Sequence, residues 1–194
     1  MAAPTYSPAT PGNLMAAISI AASSERAVPY NISTKFEAHV TCHSQMGGTV
    51  AATTGVRFEV YQYYGSTTTT ASSSAGATSI SVASATGIVK GARLGIWDAT
   101  NGGEILEVSN VSGTTLTVAA TKYNHTNGAN VYVIETTPTI TVQPGPNSGN
   151  YAADKVYSKM IQFGTGLWFV RAVNLDASNA HTVELSAATI DAVS

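Results

Sequence analysis

Charge is scarce along this chain. Nine Lys and Arg and eleven Asp and Glu among 194 residues make 10%, where about 25% is usual. The basic residues are scattered singly, so no cluster stands ready to neutralise phosphates, and no nucleic-acid partner is expected. Cysteine occurs once, at Cys42, which rules out an internal disulfide framework. No apolar run approaches the roughly 18 residues of a spanning helix, so no membrane partner is expected. Pro4, Pro8 and Pro11 interrupt the region where a secretory signal would need a charged start and an apolar stretch. The expectation is a chain made in a cytoplasm and left unanchored. Low charge does not mean disorder here, because 44% of residues are hydrophobic. A chain of this length buries roughly 70% of its unfolded surface, enough for a core without staples. Its surface must then be built from Ser, Thr, Asn and Gly.

Helical periodicity is also missing. In its place, apolar residues alternate in short runs: Ile80/Val82, Leu106/Val108, Leu116/Val118 and Val131/Val133, separated by Gly, Asn, Ser and Thr clusters. A period of two with frequent turn residues predicts short antiparallel strands. Lys35–His43 repeats the pattern, with Phe36, Ala38, Val40 and Cys42 on one face and His39 and His43 on the other. Val56, Phe58 and Val60 form the inner face of the next strand, and Arg57, Glu59 and Tyr61 point outward. Further strands are expected at 13–20, 139–143, 159–163 and 167–175, with a closing hairpin around Ala177-Ser178-Asn179. One or two helical turns are allowed at 150–159.

The expected fold is all-β: an antiparallel β-sandwich with an inserted small β-barrel or sandwich module. Residues 1–12 form an extended, proline-punctuated arm. Residues 13–65 and 136–194 together make the sandwich, because neither half alone supplies strands for two sheets. Residues 77–135 are the inserted module. Ser66–Gly76, polar and of low complexity, is a flexible connector.

Candidate chemistry is thin. His39, Cys42 and His43 are close in sequence, but on a strand Cys42 points away from both histidines, which stand about 13 Å apart. Zinc needs ligands converging at about 2.0–2.3 Å, so these residues do not form a site. Asp98, Asn101 and Glu104 in WDATNGGE offer oxygen ligands without the EF-hand spacing; a tight strand-joining turn explains them. Glu104 and Glu107 fall on opposite faces and make no carboxylate pair. Asp176, Ser178 and His181 crowd one turn, whereas a catalytic triad is oriented by separate rigid elements. There is no GxSxG elbow, and Gly164-Thr165-Gly166 lacks the rest of a phosphate loop. The sequons at Asn31, Asn110 and Asn124 are read as inert. No cofactor and no enzymatic activity are expected.

Aromatic side chains are the remaining candidates. Tyr61 and Tyr63 share a strand face and are expected to form an exposed stripe for a protein partner or, less directly, a sugar, with Tyr64 beside them as a further expected partner contact. The alternative is that they cover a sheet edge or the junction with the module. Pro4, Tyr6, Pro8 and Pro11 of the arm are the other expected partner contacts.

Two resemblances touch most of the chain. SISVASATGIVKGARLGI, EILEV, SGTTLTV and HTNGANVYV resemble a small β module that recurs in bacteriophage virion proteins, inserted into or appended to another β domain. KFEAHVTCHSQMGGTVAATTGVRFEVYQYYG resembles paired strands of small phage β-sandwich proteins, and TGLWFVRAVNLDASNAHTVELSA resembles their closing hairpin. The resemblance implies a non-enzymatic structural protein of a tailed-phage virion, foremost a capsid decoration or cement protein. A neck, tail or fibre subunit is the alternative within the virion. It further implies other virion proteins as partners (major capsid or neck and tail subunits) and a homo-oligomer, trimers being common among decoration proteins. From a different class, the tyrosine stripe would suit a carbohydrate-binding adhesin module for host attachment.

Overall fold

The computed structural model describes residues 12–146 and 149–191. Among them the regular structure is thirteen strands and no helix. The first four are β1 (Gly12–Ile20), β2 (Glu25–Asn31), β3 (Lys35–Gln45) and β4 (Val56–Thr68). The module contributes β5 (Ser79–Ser81), β6 (Arg93–Asp98), β7 (Gly102–Ser112), β8 (Thr115–Val118) and β9 (Asn130–Ile134). The chain closes with β10 (Ile140–Val142), β11 (Val156–Gly164), β12 (Leu167–Asn174) and β13 (His181–Asp191). The segment 150–159, where helical turns were allowed, holds loop and the start of β11 instead.

Two antiparallel sheets pack face to face. One has the order β1-β13-β3-β11; the other carries β2, β12, β4 and β10 and continues into the module. Period-two alternation builds the core between them. Ala38, Val40 and Cys42 of β3 and Val183 and Leu185 of β13 meet Val56, Phe58 and Val60 of β4 and Trp168, Val170 and Ala172 of β12. Sandwich strands joined directly by a loop never share a sheet: β1, β3, β11 and β13 are in one, and β2, β4, β10 and β12 in the other, where β4 and β10, separated in the chain by the module, pair.

This alternation corrects the expected closing hairpin. β12 pairs with β2 and β4, while β13 pairs with β1 and β3, so the 175–180 connection crosses between sheets. Asn174, buried, holds that crossing: its amide donates to the carbonyls of Ile20, Ala21 and Asn179, and its Oδ1 accepts from the Asp176 N–H. Gly164-Thr165-Gly166 likewise joins strands of different sheets, and β3 and β4 are not partners. The short polar loops are arches rather than hairpin turns.

The module has its own core of Leu94, Ile96, Leu106, Val108, Leu116, Val131 and neighbours. β4 is long enough to serve both units: Val56–Gln62 pairs with β12, and Tyr63–Thr68 pairs with β9. Ser66–Gly76, expected as a flexible connector, is instead pinned along the module. Thr69 bridges Val82, Ser73 bridges His125, and the Gly76 N–H donates to the Thr121 carbonyl. Polar composition reads as linker, but here backbone pairing holds it.

The module also folds back. β6 pairs with β7 and β9, and β7 returns to β2 through Ala27 and Gly103. The strands β2-β12-β4-β9-β6-β7 thereby close into a ring.

Candidate functional site

The ring covers the face of the β2-β12-β4 sheet that points away from the sandwich core. Arg57, Glu59 and Tyr61 do face away from that core, and the module buries Glu59 and Tyr61 while Arg57 stays part-exposed. Tyr61 is 1% exposed, within a cluster of Ala27, Ile134 and Phe169 that Tyr63, Trp97, Ile105 and Tyr132 flank. The expected stripe of exposed tyrosines is therefore corrected. Tyr61 is interior, Tyr63 is half-buried with its ring 4.7 Å from that of Tyr132, and only Tyr64 is open, at 69%. The alternative placement, at the junction with the module, is the observed one. Pro4, Tyr6, Pro8 and Pro11 lie outside the described residues.

Two glycines let the module approach. A Cβ at Gly95 would stand 2.6 Å from the Phe169 ring, and one at Gly103 would stand 2.5 Å from the Ala27 carbonyl oxygen. Both positions need the missing side chain.

Charge is concentrated inside this junction. Arg171 of β12 donates through Nε to Glu25 Oε2 at 2.5 Å, through Nη2 to the same oxygen, and through Nη1 to Glu59 Oε2 at 3.0 Å. Glu59 also accepts from the Tyr61 hydroxyl at 2.6 Å and from Arg57 Nε at 2.8 Å. Glu25, fully buried, reaches the module: its Oε1 accepts the Ile105 N–H at 3.0 Å, and Lys122 Nζ lies 3.4 Å from Oε2. Burial alone would raise the Glu59 carboxyl, but the Tyr61 hydroxyl and the Arg171 and Arg57 charges hold it below its ordinary value. Burial and the neighbouring Glu59 push Tyr61 up to about 12. A carboxylate kept ionised by arginine and a phenol kept neutral are poor proton carriers at neutral pH. The arrangement suits locking two units together.

A groove opens beside the junction, at the sandwich edge where β1 and β2 meet the β6–β7 hairpin. Leu14, Ile18, Val28, Arg26, Trp97 and the 98–102 turn line about 250 Å3. The Arg26 guanidinium lies 3.9 Å above the Tyr123 ring centre and donates to the Asn101 carbonyl. Tyr123 in turn donates to the Glu25 carbonyl and lies 3.0 Å from the Ser24 hydroxyl.

The other sequence candidates resolve into structural roles. Cys42 sits in the core, where burial pushes its thiol up to about 12. His39 pairs with Glu37, and His43 Nδ1 lies 2.7 Å from the Ser158 hydroxyl, on the opposite face. Asp98 accepts from the N–H groups of Thr100, Asn101 and Thr126 and from the Thr126 hydroxyl. Burial opposes ionisation there, yet those donors, Thr126 foremost, hold the carboxyl far below the usual range. Glu104, buried, accepts from the N–H groups of Lys122 and Tyr123 and contacts His125 Nε2 at 2.8 Å, while Glu107 is exposed. Both Asp98 and Glu104 organise loops with their lone pairs. His181 Nδ1 accepts the Gly47 N–H at 3.0 Å and Nε2 faces Asp176 at 3.4 Å, so neither ring nitrogen is set on the Ser178 hydroxyl. No three His, Cys, Asp or Glu side chains among the described residues gather to hold a metal.

Glu25, Arg26, Trp97 and Arg171 were not singled out in the sequence. The available signal was Arg171 itself, alone in the apolar run LWFVRAVN, opposite a strand carrying Arg57 and Glu59.

No protein-family model matches the chain, and no curated protein matches it. Among solved structures, a match is the Gp54 tailspike of Acinetobacter baumannii bacteriophage AP22, in complex with A. baumannii capsular saccharide. It has 22% sequence identity and a TM-score of 0.32, over 39% of this chain. The chain spans 15% of that tailspike's length.

Proposed function

We propose that this protein is a non-enzymatic structural subunit of a tailed-phage particle, acting as a decoration or cement protein on the capsid. The observation that carries the reading is the outward face of the β1-β13-β3-β11 sheet. The module covers one side of the sandwich, and no described residue covers this opposite side. Its rows read Thr182–Gln45–Val156, Glu184–His43–Ser158, Ser186–Thr41–Met160 and Ala188–His39–Gln162. A flat surface of Thr, Ser, Ala, Gln and His with few charges is cheap to desolvate against a neighbouring subunit.

Magnitude decides how such a face would be used. Four strands about 4.8 Å apart and about nine residues long present roughly 550 Å2. A standard interface buries about 800 Å2 per partner. The face alone falls short, and the arm that precedes β1, an edge strand of this same sheet, supplies the remainder. The subunit then bridges neighbours by its face and its arm together, by buried area and strand addition.

Quantitative mass spectrometry of purified particles tests this. Hundreds of copies per particle support capsid decoration. Six or twelve copies would move the subunit to the neck or tail, and absence from particles overturns the reading.

A further inference from the structure

Arg26 is the one cation lining the groove beside the junction, and among the described residues no carboxylate pairs with it. Its partners are the Tyr123 ring and the Asn101 carbonyl. Asp98, also on the wall, is saturated by Thr100, Asn101 and Thr126. The guanidinium has five N–H donors in a planar fork that fits carboxylates, and Asn101 takes only one of its nitrogens. Gly102, at φ +82°, makes room for it: a Cβ there would stand 2.3 Å from Arg26 Nη1. Alongside lies Trp97, half-buried, packed against the junction cluster on one side and lining the groove on the other.

We propose that this groove binds an acidic saccharide, with one sugar ring stacked on Trp97 and its carboxylate paired with Arg26. An indole presents the broad apolar face that the C–H side of a pyranose covers, with its polar edge left wet. An arginine without an acid supplies charge complementarity and a two-point grip. The volume, about 250 Å3, lies under the roughly 300–1,000 Å3 of sites for drug-sized ligands, which sizes it for one or two sugar units. An acidic peptide is the weaker fit. Extended peptides gain affinity by adding to a free strand edge, which β1 does offer here, but strand addition would use neither the Trp97 face nor the lone guanidinium that distinguish this groove. This site is independent of the open sheet face and relocates sugar recognition away from the tyrosines.

The test is titration of the whole protein with a glucuronate-containing tetrasaccharide and with its neutral glucose counterpart, followed by amide NMR shifts and calorimetry. The expected result is saturable binding of the acidic sugar, shifts centred on Ala99–Gly102, and at least tenfold weaker binding of the neutral one. Arg26→Gln should remove that tenfold preference, and Trp97→Phe should weaken both sugars several-fold while the melting temperature stays near that of the parent. The wild-type shift map reads the site even if a variant folds poorly. No saturable binding at 10 mM sugar overturns the proposal. So do shifts located elsewhere, an unchanged acid preference in Arg26→Gln, or equal binding of a poly-glutamate peptide.

Discussion

Ala27 and Gly103 face each other across the one bridge that returns the module to the sandwich. The Gly103 α-carbon lies so close to Ala27 that any β-carbon would enter the Ala27 carbonyl, and the Ile96 carbonyl stands almost as near. Both obstacles are backbone and cannot swing aside. Gly103→Ala should therefore cost about 1–3 kcal/mol, the range for overpacking a tight interior. Urea unfolding monitored by circular dichroism measures it, and an unchanged midpoint would show that the bridge yields.

Arg171 bridges two buried carboxylates, and its removal leaves Glu25 to the more distant Lys122 and Glu59 to the part-exposed Arg57. Arg171→Met should destabilise by about 3–5 kcal/mol, as breaking buried ion pairs does. Adding Glu25→Gln and Glu59→Gln should restore part of the loss, because the amides keep hydrogen bonds and shed charge. If Arg171→Met alone costs under about 1 kcal/mol, the cluster is not a lock.

His181 gives stability a pH dependence of known sign. Burial lowers the imidazole below its usual 6.5, and Asp176 offsets this only in part. The folded state then binds fewer protons than the unfolded one, so the contribution is present above about 6.5 and fades as pH falls through the folded value. The slope of stability against pH between about 7.5 and 5.5 should flatten in His181→Gln. Asp98 and Asp176, both depressed from 3.8, add a second loss of stability at more acid pH, once their carboxylates protonate.

Cys42 should ignore thiol reagents in the native protein. It has no exposed surface, and burial pushes its thiol up to about 12, while the thiolate is the reactive form. Labelling with Ellman's reagent should proceed in 6 M guanidinium and stall in buffer, so that the slow native rate reports unfolding. Rapid native labelling would contradict the core position.

Deletion of residues 2–11, stopping short of Gly12 and its partner Ala187, should leave the melting temperature almost unchanged and abolish particle binding. A sedimentation assay with stripped particles reads it. Undiminished co-sedimentation would rule the arm out as a contact.

Alternation made the strands legible and left their partners obscure. Val56, Phe58 and Val60 or Ala38, Val40 and Cys42 declare an inner face by period alone, and both fell in the core. Nothing in Gly164-Thr165-Gly166 or Ala177-Ser178-Asn179 says whether the chain turns within a sheet or arches between two. The same small and polar residues serve either geometry, and the choice is made by strands over a hundred positions away. Tyr61 failed as a surface residue for a related reason. Period two assigns a side chain to one face or the other, but it does not reveal that a second layer covers both. Arg26 and Trp97 meet only because β2 and the β6–β7 hairpin converge in space, a juxtaposition no local spacing encodes.

The alternation of sandwich strands between sheets has a consequence for how the chain is made. A hairpin can form as soon as its two strands leave the ribosome, and the module has two such local pairs, β6–β7 and β7–β8. The sandwich has none. β13, the last of these strands to be made, sits between β1 and β3, so the four-stranded sheet stays incomplete until β13 has emerged. Distant pairings are slow to form and leave apolar edges open meanwhile. On these grounds the module should fold on β4 before the sandwich closes.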